Sequence, residues 1–137
     1  MTDKKFLVMK IRILYLDDEE FNRKSFYAHF RNRYEIQLCA TNKEVLDLLE
    51  LGNQYDIIIL DQFEPDISGF DFLYNIKLHY EPVRIVIAAN NDSRMLKEAR
   101  REGEVFDFHI KPWHTEELED IIQRAVNYIK WKRNIIP

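Results

Sequence analysis

The 137-residue chain has a single cysteine, Cys39. No intramolecular disulfide can form, a cysteine-rich zinc site is excluded, and the chain fits a reducing compartment. Three glycines and four prolines are too few for a flexible linker or a disordered tail. No apolar run approaches the roughly 20 residues that cross a bilayer. The start, Met1-Thr-Asp-Lys-Lys-Phe-Leu-Val-Met9, lacks the apolar core of a signal peptide. A cytoplasmic protein without membrane contact is the expectation. Basic charge is not in excess either. Lys and Arg number 20 against 24 Asp and Glu, for a net charge of −4 and a pI near 5.6. That balance speaks against nucleic acid as a partner. No internal repeat is visible. What is present is 46% hydrophobic and 32% charged residues, enough for one soluble domain with a sizeable core.

The organising stretch is Tyr55-Asp-Ile-Ile-Ile-Leu-Asp61-Gln-Phe-Glu-Pro65-Asp-Ile-Ser-Gly69. Its apolar run lacks alternation, as in a central parallel strand covered on both faces. It predicts a strand over 56–60 that delivers Asp61 at its C-terminal end, a Pro-containing loop, and a helix opening after Gly69. Before it, Lys10–Leu16 reads as the first strand and ends in Asp17-Asp18-Glu19-Glu20. A helix over about 20–32 carries Phe21, Phe26, Tyr27 and Phe30 as its apolar side. Glu35–Cys39 alternates like a more exposed strand, with Cys39 a small core residue. Thr41-Asn-Lys-Glu44 has capping-box spacing and opens a helix with Val45, Leu48 and Leu49 inward, closed by Gly52.

After the central strand, a helix buries Phe70, Leu73, Ile76 and Phe72. Val83–Ile87 is a fourth strand. A helix over about 92–102 turns Met95, Leu96 and Ala99 inward. Val105–Ile110 is a fifth strand, stopped by Lys111-Pro112 because proline brings no N–H to the ladder. A last helix over about 115–132 carries Leu118, Ile121, Ile122, Ala125, Val126 and Ile129 as a core stripe. Strand and helix alternate five times, which calls for a parallel sheet with helices on both faces. The expected fold is the doubly wound α/β sheet with order 2-1-3-4-5, whose ligands bind outside the carboxyl ends of strands one and three. The expected bounds are a leader over 1–9, a domain over 10–132 and a tail over 133–137.

In that arrangement Asp17 and Asp18 leave strand one, Asp61 leaves strand three beside them, and Lys111 leaves strand five. Clustered carboxylates repel, and a cation relieves the repulsion. All-oxygen ligands in small number suit Mg²⁺ that keeps some waters. Each signal alone has a plain explanation. Acids favour helix N-termini, Asp favours turns, and Lys-Pro ends strands. Their convergence at one sheet edge is harder to explain that way. The four histidines, His29, His79, His109 and His114, show no paired metal spacing.

These residues resemble the receiver domain of two-component response regulators. The matching pieces are Ile-Leu-Tyr-Leu-Asp17-Asp18-Glu19, then Asp56-Ile-Ile-Ile-Leu-Asp61 with Pro65 and Gly69, then Lys111-Pro112. The likeness runs from about Lys10 to Lys130. Lys111-Pro-Trp113 is similar to a subgroup that often precedes cyclic-dinucleotide output domains.

The resemblance implies that Asp61 accepts a phosphoryl group from a sensor histidine kinase, a phosphotransfer protein or a small acyl phosphate. It implies Mg²⁺ on Asp17, Asp18, Asp61 and the Phe63 carbonyl. Lys111 would pair with Asp61 and then with the phosphoryl group. The domain would catalyse only its own phosphorylation and dephosphorylation and would signal by contact with a downstream protein. The face made by helix four, strand five and helix five is the family's usual interaction surface. Here it would carry some of Arg94, Lys97, Arg101, Asp107 and Glu119, which could pair in a homodimer.

Departures bear on the switch. Ala88, or Ala89 if the register shifts by one, stands where the family usually has Thr or Ser, and neither has a hydroxyl. Phe108 takes the position of the aromatic switch residue, where Tyr is frequent. Phe63 and Asn90 flank the acceptor, and bulky Phe63 is expected to shield the phosphoryl group from water. Trp113 is expected to pack at the start of the last helix, with a partner contact as the alternative, and Tyr128 and Trp131 could begin a dimer face or a linker. The alternative reading is a pseudo-receiver, the same fold used as an interaction module without phosphorylation. Glu64 and Ala88 favour it, and the acids and Lys111 oppose it. An aspartyl-phosphate phosphatase would need a second acid two residues after the nucleophile, and Phe63 stands there. A flavin phosphate would be repelled by Asp17-Asp18-Glu19-Glu20.

Overall fold

In the computed structural model, the residues described are 10–64, 67–89, 94–111 and 114–133. Among the described residues, ten elements alternate along the chain. They are β1 (Arg12–Leu16), α1 (Glu20–Phe30), β2 (Glu35–Cys39), α2 (Asn42–Glu50), β3 (Ile57–Phe63), α3 (Ile67–His79), β4 (Val83–Ala88), α4 (Arg94–Arg101), β5 (Asp107–Ile110) and α5 (Thr115–Lys132). The strands form one parallel sheet in the order β2-β1-β3-β4-β5, as expected.

The apolar run of β3 explains the layering. Successive strand residues point to opposite faces, and both faces here are covered. Ile57 and Ile59 pack with Phe26 and Phe30 of α1 and the buried stripe of α5. Ile58 and Leu60 pack with Val45, Leu73 and Leu96, from α2, α3 and α4. All six expected stripe residues of α5 are buried. Each larger one contributes roughly 1.5–3 kcal/mol by burial, which commits α5 to the sheet. The α2 cap forms as expected, with the Thr41 side chain accepting from the Glu44 amide. The Glu44 carboxylate reaches the amide of Ala40, one residue before the cap. Gly52 closes the helix at φ 93°, a left-handed conformation that glycine adopts without a Cβ clash.

Several boundaries move. β1 begins at Arg12, although Ile11 is buried. In α1 only Phe26 and Phe30, one helical turn apart, face the sheet; Phe21 and Tyr27 are exposed. Met95 is also exposed, so Leu96 and Ala99 are the buried apolar residues of α4. β5 starts at Asp107 because the Val105 amide bonds back to Ala99 of α4. β3 does not stop at Leu60 but runs on to Phe63, with a shift of register against β4 between Leu60 and Phe63. α3 opens at Ile67, before Gly69 rather than after it. Gly69 has a steric task instead. A Cβ there would overlap the Glu64 carbonyl oxygen and lie 3.1 Å from the Phe63 ring.

Candidate functional site

The parallel pairing of β1 and β3 builds the site. Leu16 is in register with Leu60, so the next residues, Asp17 and Asp61, emerge side by side. Asp17 lies two residues after Tyr15, and Asp61 two after Ile59, on the sheet face covered by α1 and α5. Both acids are buried, at 0% and 4% exposure. A buried charge must be hydrogen-bonded or paired, and each of these is. Asp17 accepts from the Glu19 amide at 3.0 Å and from Asn22 Nδ2 at 2.9 Å. Asp61 Oδ1 accepts from Lys111 Nζ at 2.9 Å and from the Gln62 amide at 2.7 Å. Gln62 takes φ 60°, the left-handed region in which a non-glycine residue is uncommon.

Tyr15 completes the cluster. Its hydroxyl donates to Asp61 Oδ2 at 2.5 Å and lies 3.3 Å from Asp17 Oδ2. The ring is fully buried and stacks on Phe26, with centroids 4.1 Å apart and planes 7° apart. Burial, then the neighbouring charges of Asp61 and Asp17, drive the phenol's pKa far above its ordinary value, so it stays protonated and donates. Burial also raises the Asp61 carboxyl. The Tyr15 and Lys111 hydrogen bonds lower it, nearby Asp17 raises it again, and the net shift is upward.

Lys111 is set by its backbone. Its amide donates to the Ala88 carbonyl at 2.8 Å, which fixes the chain leaving β5 next to the end of β4. Ala88 is buried, and Phe108 is half-buried against the same side of the sheet. The Arg100 guanidinium lies 5.0 Å above the Phe108 ring. Phe63 is buried, with its ring edge-on to Phe70 at 5.5 Å, so its bulk packs the start of α3. A cleft of about 260 Å³ opens between Asp61, Gln62, Glu64 and Ser68.

Of the expected site residues, Asp17, Asp61 and Lys111 are brought together. Asp18 is exposed. Among the described residues no three His, Cys, Asp or Glu side chains converge as a metal cage. His29 pairs with Glu119 and His109 with Glu117, and neither joins the site. Pro65, Asn90, Pro112 and Trp113 lie outside the described residues. The surface of α4, β5 and α5 is partly spent within the chain. Asp107 is buried and bridges Arg100 and Arg124. Glu119 faces α1, bonding Arg33 as well as His29.

The sequence matches the response regulator receiver domain family over residues 13–123. The chain belongs to that family. Relatives include the two-component response regulator ARR10 of Arabidopsis thaliana. It is 29% identical over 126 residues, covering 90% of this chain and 23% of the relative. ORR26 of Oryza sativa is 31% identical over 118 residues, covering 84% of this chain and 20% of the relative. The chain thus spans about a quarter or less of the length of these relatives. Among solved structures, a receiver domain from Clostridium thermocellum superposes with a TM-score of 0.75 at 26% identity, covering 88% of this chain and 98% of that one. The signal receiver domain of a LuxO repressor protein from Vibrio parahaemolyticus gives 0.79 at 21% identity, covering 94% and 99%.

Receiver domains bind Mg²⁺ at their acidic pocket. The donor set here fits such an ion. It offers hard carboxylate oxygens on two buried acids, Asp17 and Asp61, that repel. Few protein ligands suit an ion that keeps waters. Sequence reasoning missed Tyr15, which reads as one more apolar residue of a buried strand. Its place two residues before Asp17 was the available signal.

Proposed function

We propose that Asp61 is the phospho-acceptor of this receiver domain. The observation that supports the reading best is the buried carboxylate at the end of β3, paired at 2.9 Å with Lys111 and flanked by Asp17. An Asp61 oxygen attacks the phosphorus of a phosphohistidine on a kinase or phosphotransfer protein, or of a small acyl phosphate. The new P–O bond forms as the P–N or acyl P–O bond breaks, and the leaving group keeps that electron pair. Lys111 starts on the other oxygen of the acceptor carboxylate, Oδ1, and offsets charge on the phosphoryl group as it arrives. Asp61, the Phe63 carbonyl and the Asp17–Asp18 pair would hold Mg²⁺, which would supply further positive charge to the phosphoryl oxygens. The domain, spanning residues 10–132, acts in the cytoplasm and promotes no reaction besides its own phosphorylation and dephosphorylation.

Phe108 is the residue proposed to report the phosphoryl group, and Ala88 contributes no hydroxyl to it. A hydrogen bond to a charged group is worth about 1.5–3 kcal/mol, so the coupling runs without that term. The output is contact with a downstream protein through α4, β5 and α5. Asp107, Glu119 and Arg101 are engaged inside the chain. A homodimer through this face is a further use proposed for the same surface.

The test is intact mass after incubation with Mg²⁺ and acetyl phosphate. The unmutated protein gains one phosphoryl group and Asp61→Asn gains none. No gain in the unmutated protein favours the pseudo-receiver.

A further inference from the structure

The Tyr15 hydroxyl sits where the proposed acceptor and the proposed cation meet. Both Asp61 oxygens have donors at rest. Oδ1 takes Lys111 and the Gln62 amide, and Oδ2 takes Tyr15. The phenol has one proton. At 2.5 Å it serves Asp61, and Asp17 Oδ2 at 3.3 Å receives only the weaker side of the contact. The hydroxyl therefore brings the positive end of a dipole between two carboxylates that repel, which is a smaller version of what a divalent cation does. The ring cannot easily swing away, because it is buried and stacked flat on Phe26. Its donor strength is undiluted by water, since hydrogen bonds in the interior are electrostatically stronger than in solvent.

We infer that Tyr15 is a positioning residue that holds the acceptor oxygen Asp61 Oδ2 in the cation-free protein and competes with Mg²⁺ for it. The inference rests on the reading of Asp61 as acceptor in a Mg²⁺ site. Two consequences follow. The Asp17–Asp61 pair is partly neutralised without metal, so the metal-free protein is more stable than one that lacks the hydroxyl. Cation affinity is set lower than the two carboxylates alone would give, because the hydroxyl bond must be given up or redirected. Asn22 and the Glu19 amide keep Asp17 in place throughout.

The experiment compares the full chain with its Tyr15→Phe variant, which keeps the ring and its stacking. Mg²⁺ is titrated into each by calorimetry, and thermal denaturation is followed with and without Mg²⁺. The size expected of one hydrogen bond to a charged group corresponds to about a tenfold or greater change in affinity. Tyr15→Phe should melt lower than the unmutated protein without Mg²⁺ and bind Mg²⁺ about tenfold more tightly. A residue with only a packing role would lower the melting temperature without tightening Mg²⁺ binding. Equal or weaker Mg²⁺ affinity in Tyr15→Phe overturns the inference, even where the unmutated protein gains a phosphoryl group. Failure of the acceptor reading shows separately, as absence of the Asp61-dependent mass gain. If Tyr15→Phe does not fold, the unmutated protein is read alone. A tyrosine difference spectrum on Mg²⁺ addition that Asp61→Asn lacks supports the inference, and no such difference overturns it.

Discussion

Asp107 opens β5 one residue before the proposed reporter Phe108, and replacing it with Asn tests how firmly that strand is tied to its helices. The carboxylate is buried, at 6% exposure. Oδ1 accepts from Arg100 at 3.0 Å and from the Phe108 amide at 2.8 Å, and Oδ2 accepts from Arg124 at 2.7 Å. Burial works against the charge, but the Arg124, Phe108 and Arg100 bonds outweigh it and hold the carboxyl below its usual range. In Asp107→Asn the amide NH₂ can face only one side, and the contact with Arg124 is lost. Charge-assisted bonds are roughly twice as strong as neutral ones, so the other two weaken. Both arginine side chains are 48% exposed and can turn to water, which discounts the loss. The sum is about 2 kcal/mol at pH 7. At about 2.1 cal/mol/K of unfolding entropy per residue, that lowers the Tm of a chain this size by about 7 °C. The native carboxyl titrates below the unfolded one. Its stabilisation is therefore full above about pH 4 and is lost as pH falls through the native value. Urea denaturation of both proteins at pH 7 and in steps below pH 4 measures the gap. A gap under about 0.5 kcal/mol at pH 7, or one that widens in acid, refutes the reasoning.

Gly69→Ala sets two effects against each other. A helical Ala is about 1 kcal/mol better than Gly, but its Cβ collides with the Glu64 carbonyl and presses on the Phe63 ring, and overpacking typically costs about 1–3 kcal/mol. The variant should be less stable in urea, and a stabilised variant would contradict the close approach. Cys39 is buried, which pushes its thiol up to about 11 with help from Glu44. Only the thiolate reacts, so labelling by a thiol reagent at pH 8 should be on the order of a hundredfold slower than in denaturant. Equal rates would mean that Cys39 is not in the core.

The fold was legible because its signals are large and local. Ile57–Leu60 reads as a two-sided strand without any partner, and the α5 stripe reads as a helix face from spacing alone. Asp17, Asp61 and Lys111 were legible because each follows a strand, and a parallel sheet collects strand ends at one edge. What escaped depends on rotation and register. Helical spacing placed Phe21 and Met95 on apolar sides, yet each falls just outside the arc that meets the sheet. Glu119 was grouped with α4 and β5, but α5 touches α1 as well, and His29 and Arg33 claim the carboxylate. Tyr15 is the clearest case. Its partner lies 46 residues away, and only the pairing of Leu16 with Leu60 brings its hydroxyl to Asp61.

The central claim is that the carboxylate of Asp61 takes the phosphoryl group. An acyl phosphate, unlike a phosphoserine or a bound phosphate, is reduced by borohydride to the alcohol, which converts aspartate to homoserine. The protein is incubated with Mg²⁺ and acetyl phosphate, treated with borohydride, digested and sequenced by mass spectrometry. Homoserine at position 61, dependent on Mg²⁺, is the predicted result. Homoserine at another aspartate, or none in a protein that is folded and binds Mg²⁺, would contradict it.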